Sequence, residues 1–169
     1  LEHWHQVVTA ITSMQVRGAP VLGVAGAYAV VLAAQELKDL PFAEFREHLA
    51  SAASSIAKAR PTAVNLAWAV SCVLIAAESA TNAHQAIELL LTEAQTIERE
   101  DIEANHSIGE HGSQLLPLDA TMMTHCNAGA LATAGYGTAL GVIRTAWAQG
   151  KLKGVIATET RPLLQGARL

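Results

Sequence analysis

Charge and aromatic rings are both scarce here: charged residues make up 15% and aromatic residues 4% of the 169 residues. With 51% hydrophobic residues alongside, so little charge excludes a disordered tail and a surface-dominated polymer. Lysine and arginine number only eleven and are scattered, so no basic stripe is available to follow a phosphodiester backbone, and nucleic acid is not an expected partner. Cysteine is nearly absent. Cys72 and Cys126 form neither a disulfide framework nor a metal motif, which suits a reducing, cytoplasmic location. The seven histidines show no ligand spacing either: His106 and His111 lie five apart, which puts them on different faces of a helix. No metal site is expected from these residues. The opening run Leu1-Glu2-His3-Trp4-His5 lacks the pattern of a signal peptide.

What is present is a set of long uncharged runs, at residues 18–35, 61–77 and 126–143. Each approaches the length of a membrane span. They are built mainly from alanine and glycine, however, and contain Asn65, Ser71, Thr133 and Thr138, which fits closely packed core helices better than lipid-facing ones. No membrane partner is expected, and the length fits one domain or slightly more with a substantial core.

Periodicity predicts helices over residues 7–14 and 20–37, the second with a proline in its first turn where no N–H is needed. Phe42, Phe45, Leu49, Ala53 and Ile56 mark the buried face of a further helix. Pro61 is expected to open the next, to about residue 79. Asn82 then caps a long one, with Gln85 in the capping-box position. This helix blurs around Gly109 and Gly112, and its acidic stretch at 98–103 reads as a solvated face. After Pro117 the pattern changes: a strand at 120–125, a helix at 129–148 closed by Gly150, and a strand at 154–158. Strand, helix and strand in that order make a βαβ unit and imply a parallel sheet. The expected fold is α/β: a helical N-terminal domain at 1–116, then the first βαβ unit of a Rossmann-like domain at 117–169, with the chain as a whole mostly helical. Two strands do not finish such a sheet, so the sequence reads as part of a longer chain.

In parallel sheets ligands collect beyond the carboxyl ends of the strands, and Cys126 and Glu159-Thr160-Arg161 both fall there. A helix starting just after Cys126 would set its sulfur against unpaired N–H groups and the positive end of the helix dipole, favouring a reactive thiol. The alternative is a small apolar filler. Arg17-Gly18-Ala19-Pro20 and Arg60-Pro61 each set an arginine before a proline-started helix, and Arg161-Pro162 repeats the pair. A guanidinium beside free N–H groups is a phosphate cradle; otherwise each arginine pairs with a glutamate or caps a helix C-terminus.

Four segments in order resemble one known family: residues 14–23, beginning Met14-Gln15-Val16-Arg17-Gly18-Ala19-Pro20; Arg60-Pro61-Thr62-Ala63-Val64-Asn65; residues 124–137, beginning Thr124-His125-Cys126-Asn127-Ala128-Gly129; and residues 159–168, beginning Glu159-Thr160-Arg161-Pro162-Leu163-Leu164-Gln165-Gly166. They are similar to the S-methyl-5-thioribose-1-phosphate isomerase family, which shares a larger family with the regulatory subunits of translation initiation factor 2B. The resemblance covers nearly the whole chain. It implies an intramolecular oxidoreductase of methionine salvage, acting on a sugar phosphate without metal or nucleotide and working as a homodimer when complete.

Carried over by motif, the resemblance gives Cys126 as catalytic and Arg17, Gly18, Ala19, Arg60 and Gln165 as substrate contacts. The family's second catalytic group, an aspartate, would lie beyond Leu169. The resemblance leaves two other functions open: a ribose-1,5-bisphosphate isomerase, which needs a further cationic site, and a non-catalytic regulatory subunit, which needs no thiol.

Overall fold

The computed structural model describes residues 1–168. Packing divides the chain into two units, Leu1–Glu98 and the part from Arg99 onward.

The first unit is helical: α1 (Trp4–Thr12), α2 (Ala19–Glu36), α3 (Phe42–Lys58), α4 (Val64–Ala76) and the start of α5 (Ala83–Gln114). The uncharged runs become its core. Ten residues of α2 are buried, and Leu22, Ala27, Val30, Phe45, Ile56, Leu66, Val73 and Leu90 are almost wholly shielded from water. Small residues set how closely the helices approach. A methyl group on Gly23 would sit 3.1 Å from the Asn65 carbonyl oxygen, and one on Gly26 would overlap the Leu66 side chain. By length and composition α2 is, among the described residues, the one helix able to cross a membrane, yet over half of it is buried inside this unit. α4 begins at Val64 and not at Pro61, because residues 60–63 close a turn in which the Ala63 N–H donates to the Arg60 carbonyl at 2.9 Å.

At the start of α5 the cap forms as expected on one side: Asn82 Oδ1 accepts the Gln85 N–H at 2.9 Å. Gln85 returns its own amide oxygen one residue further back, to the Thr81 N–H at 2.9 Å. The glycines that blur the sequence pattern do not break α5. Added methyl groups at Gly109 and Gly112 would lie 2.6 Å from Thr145 Oγ1 and 2.6 Å from Val142 Cγ2, so both are points of close packing against α6. Nor is the 98–103 stretch a uniformly solvated face. Glu98 accepts the Tyr28 hydroxyl at 2.5 Å, and Asp101 Oδ2 accepts the Ala134 N–H at 2.7 Å, while Glu100 and Glu103 stay exposed.

The second unit holds β1 (Ala120–Thr124), α6 (Ala139–Ala148) and β2 (Leu152–Ala157). The strands pair in parallel, with Thr121 opposite Gly154 and Thr124 opposite Ala157. α6 contacts both strands and is closed by Gly150, whose φ of 69° suits the left-handed turn after a helix. The expected α/β fold with a parallel pair is therefore present and mostly helical. The change of element type comes at Pro117, whereas the division in packing falls inside α5.

The expected helix at 129–148 is half its anticipated length. Residues 130–132 make a single 3₁₀ turn and α6 starts only at Ala139. The reason is glycine. Gly129 and Gly137 pair as an antiparallel bridge, and the Ala128 carbonyl accepts N–H groups from both Thr138 and Leu140, at 3.1 and 3.3 Å. The chain between β1 and α6 is thereby closed into a loop, with Gly137 at φ 93° and too close to Gly129 Cα to carry a side chain.

Candidate active site

The carboxyl ends of β1 and β2 are tied together. The Thr158 N–H donates to the Thr124 carbonyl at 3.1 Å, continuing the ladder, and Thr158 Oγ1 lies 2.8 Å from His125 Nδ1. Cys126 follows directly, half-buried and with φ 62°. A non-glycine residue in left-handed backbone costs about 1–2 kcal/mol and persists only where the surroundings fix it. Here Thr124 and His125 fix it on one side and the bridged glycine loop on the other. The expected helix N-terminus at Cys126 is absent, since α6 starts well after it with Thr138 as its cap. Backbone geometry, not a helix dipole, is what singles out this thiol.

Beyond β2 the chain folds back on itself. Thr160 and Leu164 also take positive φ, at 57° and 55°, and the Leu164 N–H donates to the Thr160 carbonyl at 2.9 Å. The Gly166 N–H donates to Thr160 Oγ1 at 2.8 Å, and a methyl group on Gly166 would overlap the Thr158 carbonyl. This return delivers Gln165 to a shielded position where, among the described residues, its Oε1 has no hydrogen-bond partner. A buried amide oxygen without a donor costs about 1–3 kcal/mol. Thr124 Oγ1, on the last residue of β1, is likewise buried without a partner. Arg161 departs from the expected phosphate cradle: no proline-started helix follows it, and its guanidinium is engaged by Glu159, Nε to Oε2 at 2.6 Å.

In the first unit Gly18 caps α2 with φ 120°, a conformation open to glycine, followed by Ala19 and then Pro20. Among the described residues no side chain caps this helix N-terminus, and N–H groups left free at such an end suit an anion. Arg17 is half-buried at its mouth, and Arg60 is half-buried in the turn before α4. Neither forms an ion pair among the described residues, unlike Arg161. Close contact of Gly23 with Asn65, the second residue of α4, brings the first turns of α2 and α4 together.

The other cysteine fits the filler role. Burial pushes the Cys72 thiol up, and the charge of Glu93 pushes it further. Among the described residues no group of three His, Cys, Asp or Glu side chains is placed to hold a metal ion. Sequence reasoning missed Thr124, His125, Thr158 and Asp101. Nothing in a lone threonine or histidine announces a loop tie, and Asp101 stands among acidic neighbours that look solvated.

Residues 15–169 match the family described as the Initiation factor 2 subunit family. The chain is 49% identical over 168 residues to the methylthioribose-1-phosphate isomerase of Desulforamulus reducens, a match covering 98% of this chain and 49% of that protein. It is 52% identical over 165 residues to the protein of the same name from Chloroflexus aurantiacus, covering 96% of this chain and 48% of the relative. Among solved structures it is similar to 5-methylthioribose 1-phosphate isomerase from Pyrococcus horikoshii OT3, with TM-score 0.91 and 40% identity over 99% of this chain and 47% of that one. It is also similar to translation initiation factor eIF-2B, subunit delta, from A. fulgidus, with TM-score 0.89 and 44% identity over 100% of this chain and 50% of that one. The chain thus spans about half the length of the curated relatives it matches.

Proposed function

Because the chain belongs to the Initiation factor 2 subunit family, we propose that it is part of an aldose–ketose isomerase that converts S-methyl-5-thioribose 1-phosphate to S-methyl-5-thioribulose 1-phosphate in methionine salvage. The complete protein works in the cytoplasm as a homodimer, without a metal or nucleotide cofactor. Residues 1–116 form its helical domain and residues 117–169 open the Rossmann-like one.

One observation carries the reading: Cys126 stands in left-handed backbone immediately past the carboxyl end of β1. Its support is the position itself, where parallel sheets place their ligands, together with the shared name of the isomerase relatives at 49–52% identity.

The chemistry follows from the substrate. Its phosphate on C1 blocks a free aldehyde, so the ring oxygen must take a proton as its bond to C1 breaks. The hydrogen on C2 is then transferred to C1, and the C2 hydroxyl loses its proton to become the ketone. Cys126 as a thiolate is the base that removes the C2 hydrogen and returns it to C1. An aspartate beyond Leu169, implied by the family resemblance, is the acid at the ring oxygen. Arg17, Gly18, Ala19 and Arg60 hold the phosphate and sugar, supported by two arginines without an ion pair among the described residues and by a helix N-terminus that no described side chain caps. Gln165 accepts a substrate hydroxyl, supported by its partnerless buried oxygen.

The test is the full-length protein on substrate deuterated at C2, run in ordinary water. Exchange of part of the label with solvent agrees with a base. Complete retention at C1 speaks against a solvent-exchanging base and for a direct hydride shift. The likeness to the A. fulgidus factor subunit favours one other reading, a regulator that binds sugar phosphates or nucleotides without turning them over. Absence of any isomerisation by the full-length protein, with sugar phosphate still bound, would select that reading.

A further inference from the structure

The loop that joins Cys126 to α6 is anchored at two places. Its base is closed by the Gly129–Gly137 bridge, and Asn127 Oδ1 accepts the Gly129 N–H at 3.2 Å. On its far side α5 holds it at Ala134: Asp101 Oδ2 accepts the Ala134 N–H at 2.7 Å. That carboxylate is itself held in place. Asn105, one turn further along α5 and 1% exposed, donates from Nδ2 to Asp101 Oδ2 at 3.0 Å and to the Asp101 carbonyl at 2.6 Å. Its amide oxygen is left buried with no partner among the described residues. A buried amide with one end orphaned is an expensive way to orient a carboxylate, and a core that needed only to pack would do better with an apolar side chain. Tyr136, two residues beyond Ala134, reinforces the same side of the loop by stacking on His106 with ring centres 4.0 Å apart and by meeting Thr145 Oγ1 at 2.7 Å.

We infer that Asp101 is a positioning residue for the Cys126 loop, acting through the Ala134 N–H with Asn105 as its orienting partner. The inference rests on Cys126 being the reacting thiol. Hydrogen bonds to an ionised acceptor are the stronger kind, and this one joins an otherwise irregular segment to a 32-residue helix. Without it, the loop retains its bridge at the base and the Tyr136 contacts but loses its hydrogen bond to α5 at Ala134, and Cys126 is less firmly held against the substrate carbon.

The test uses the full-length protein with Asp101→Ala, Asp101→Asn and Asn105→Ala. Asp101→Ala should lower kcat by about 10–100-fold while KM changes little, the pattern of a misplaced reacting group. The rate at which iodoacetamide labels Cys126 should change as well. Asp101→Asn keeps an oxygen acceptor and should restore most of the activity. Asn105→Ala should fall between the two. Wild-type kcat and wild-type labelling in Asp101→Ala would overturn the inference, as would Asp101→Asn being no better than Asp101→Ala. If Asp101→Ala does not fold, hydrogen exchange on the wild-type protein decides: the Ala134 amide should exchange slowly, and exchange as fast as an open loop would overturn the anchor. Labelling and exchange need no turnover. A protein that never isomerises yet shows both effects removes the isomerase reading and leaves the anchor standing.

Discussion

His125 and Thr158 meet across the carboxyl ends of the two strands, with Nδ1 and Oγ1 2.8 Å apart. This contact joins the segment carrying Cys126 to the segment that returns Gln165, and the Thr158 N–H adds a second link to Thr124. Replacing Thr158 by valine removes the hydroxyl while keeping the shape. Because the pair is exposed, the loss of stability should be only about 1 kcal/mol by urea unfolding. The effect on kcat should be larger in proportion, about tenfold, since the contact fixes loops and not the core.

Gly166 offers a sharper test of the return. An alanine there would press its methyl group into the Thr158 carbonyl, which is backbone and has little room to yield. Gly166→Ala should cost about 2–3 kcal/mol and weaken substrate binding through misplacement of Gln165. Thermal unfolding and KM of the full-length variant would check both, and a variant as stable as wild type would show that the loop is not folded as described.

Much of this arrangement is legible from the residues, and the parts that are not have physical reasons. α3 shows plainly because Phe45, Leu49 and Ile56 repeat at helical spacing against charged neighbours. The parallel pair shows because short apolar runs flank a helical one. Failure concentrates where glycine is dense. Gly109 and Gly112 look like a helix end, yet they are where α5 admits α6, and a gap for a neighbour has the same sequence signature as a break. Gly129, Gly135 and Gly137 look compatible with a small-residue helix, yet they close a loop, because the pairing of Gly129 with Gly137 is a tertiary choice. The place of Cys126 just past the end of β1 is thus legible in the sequence, while the helix dipole expected beside it is not there.

The Tyr28–Glu98 contact makes stability depend on alkaline pH. Burial, then the hydrogen bond and the negative charge of Glu98, push the Tyr28 phenol from 10.0 up to about 12. The folded protein thus favours the protonated phenol over the unfolded chain. Its contribution is fully present below pH 10, the unfolded value, and is lost as the pH rises through about 12. Denaturant midpoints measured below pH 10 and near pH 12 should fall more for wild type than for Tyr28→Phe. An equal fall in both would show that Tyr28 does not carry the effect.

The two cysteines should behave differently toward alkylation. Cys72, with its thiol pushed up by burial and by Glu93, should label slowly and without regard to ligand. Labelling of Cys126 in the full-length protein should be slowed by added sugar phosphate. Mass spectrometry of the two peptides reads this directly, and equal protection of both would speak for a global effect of the ligand.

Most direct of all is turnover by Cys126→Ala in the full-length protein, with folding confirmed by an unchanged unfolding midpoint. As the base at C2, Cys126 should be worth about 10²–10⁴ in kcat, so the variant should retain no more than about 1% of wild-type turnover on S-methyl-5-thioribose 1-phosphate. Turnover within about twofold of wild type would contradict the account at its centre, because no general base is dispensable at that level.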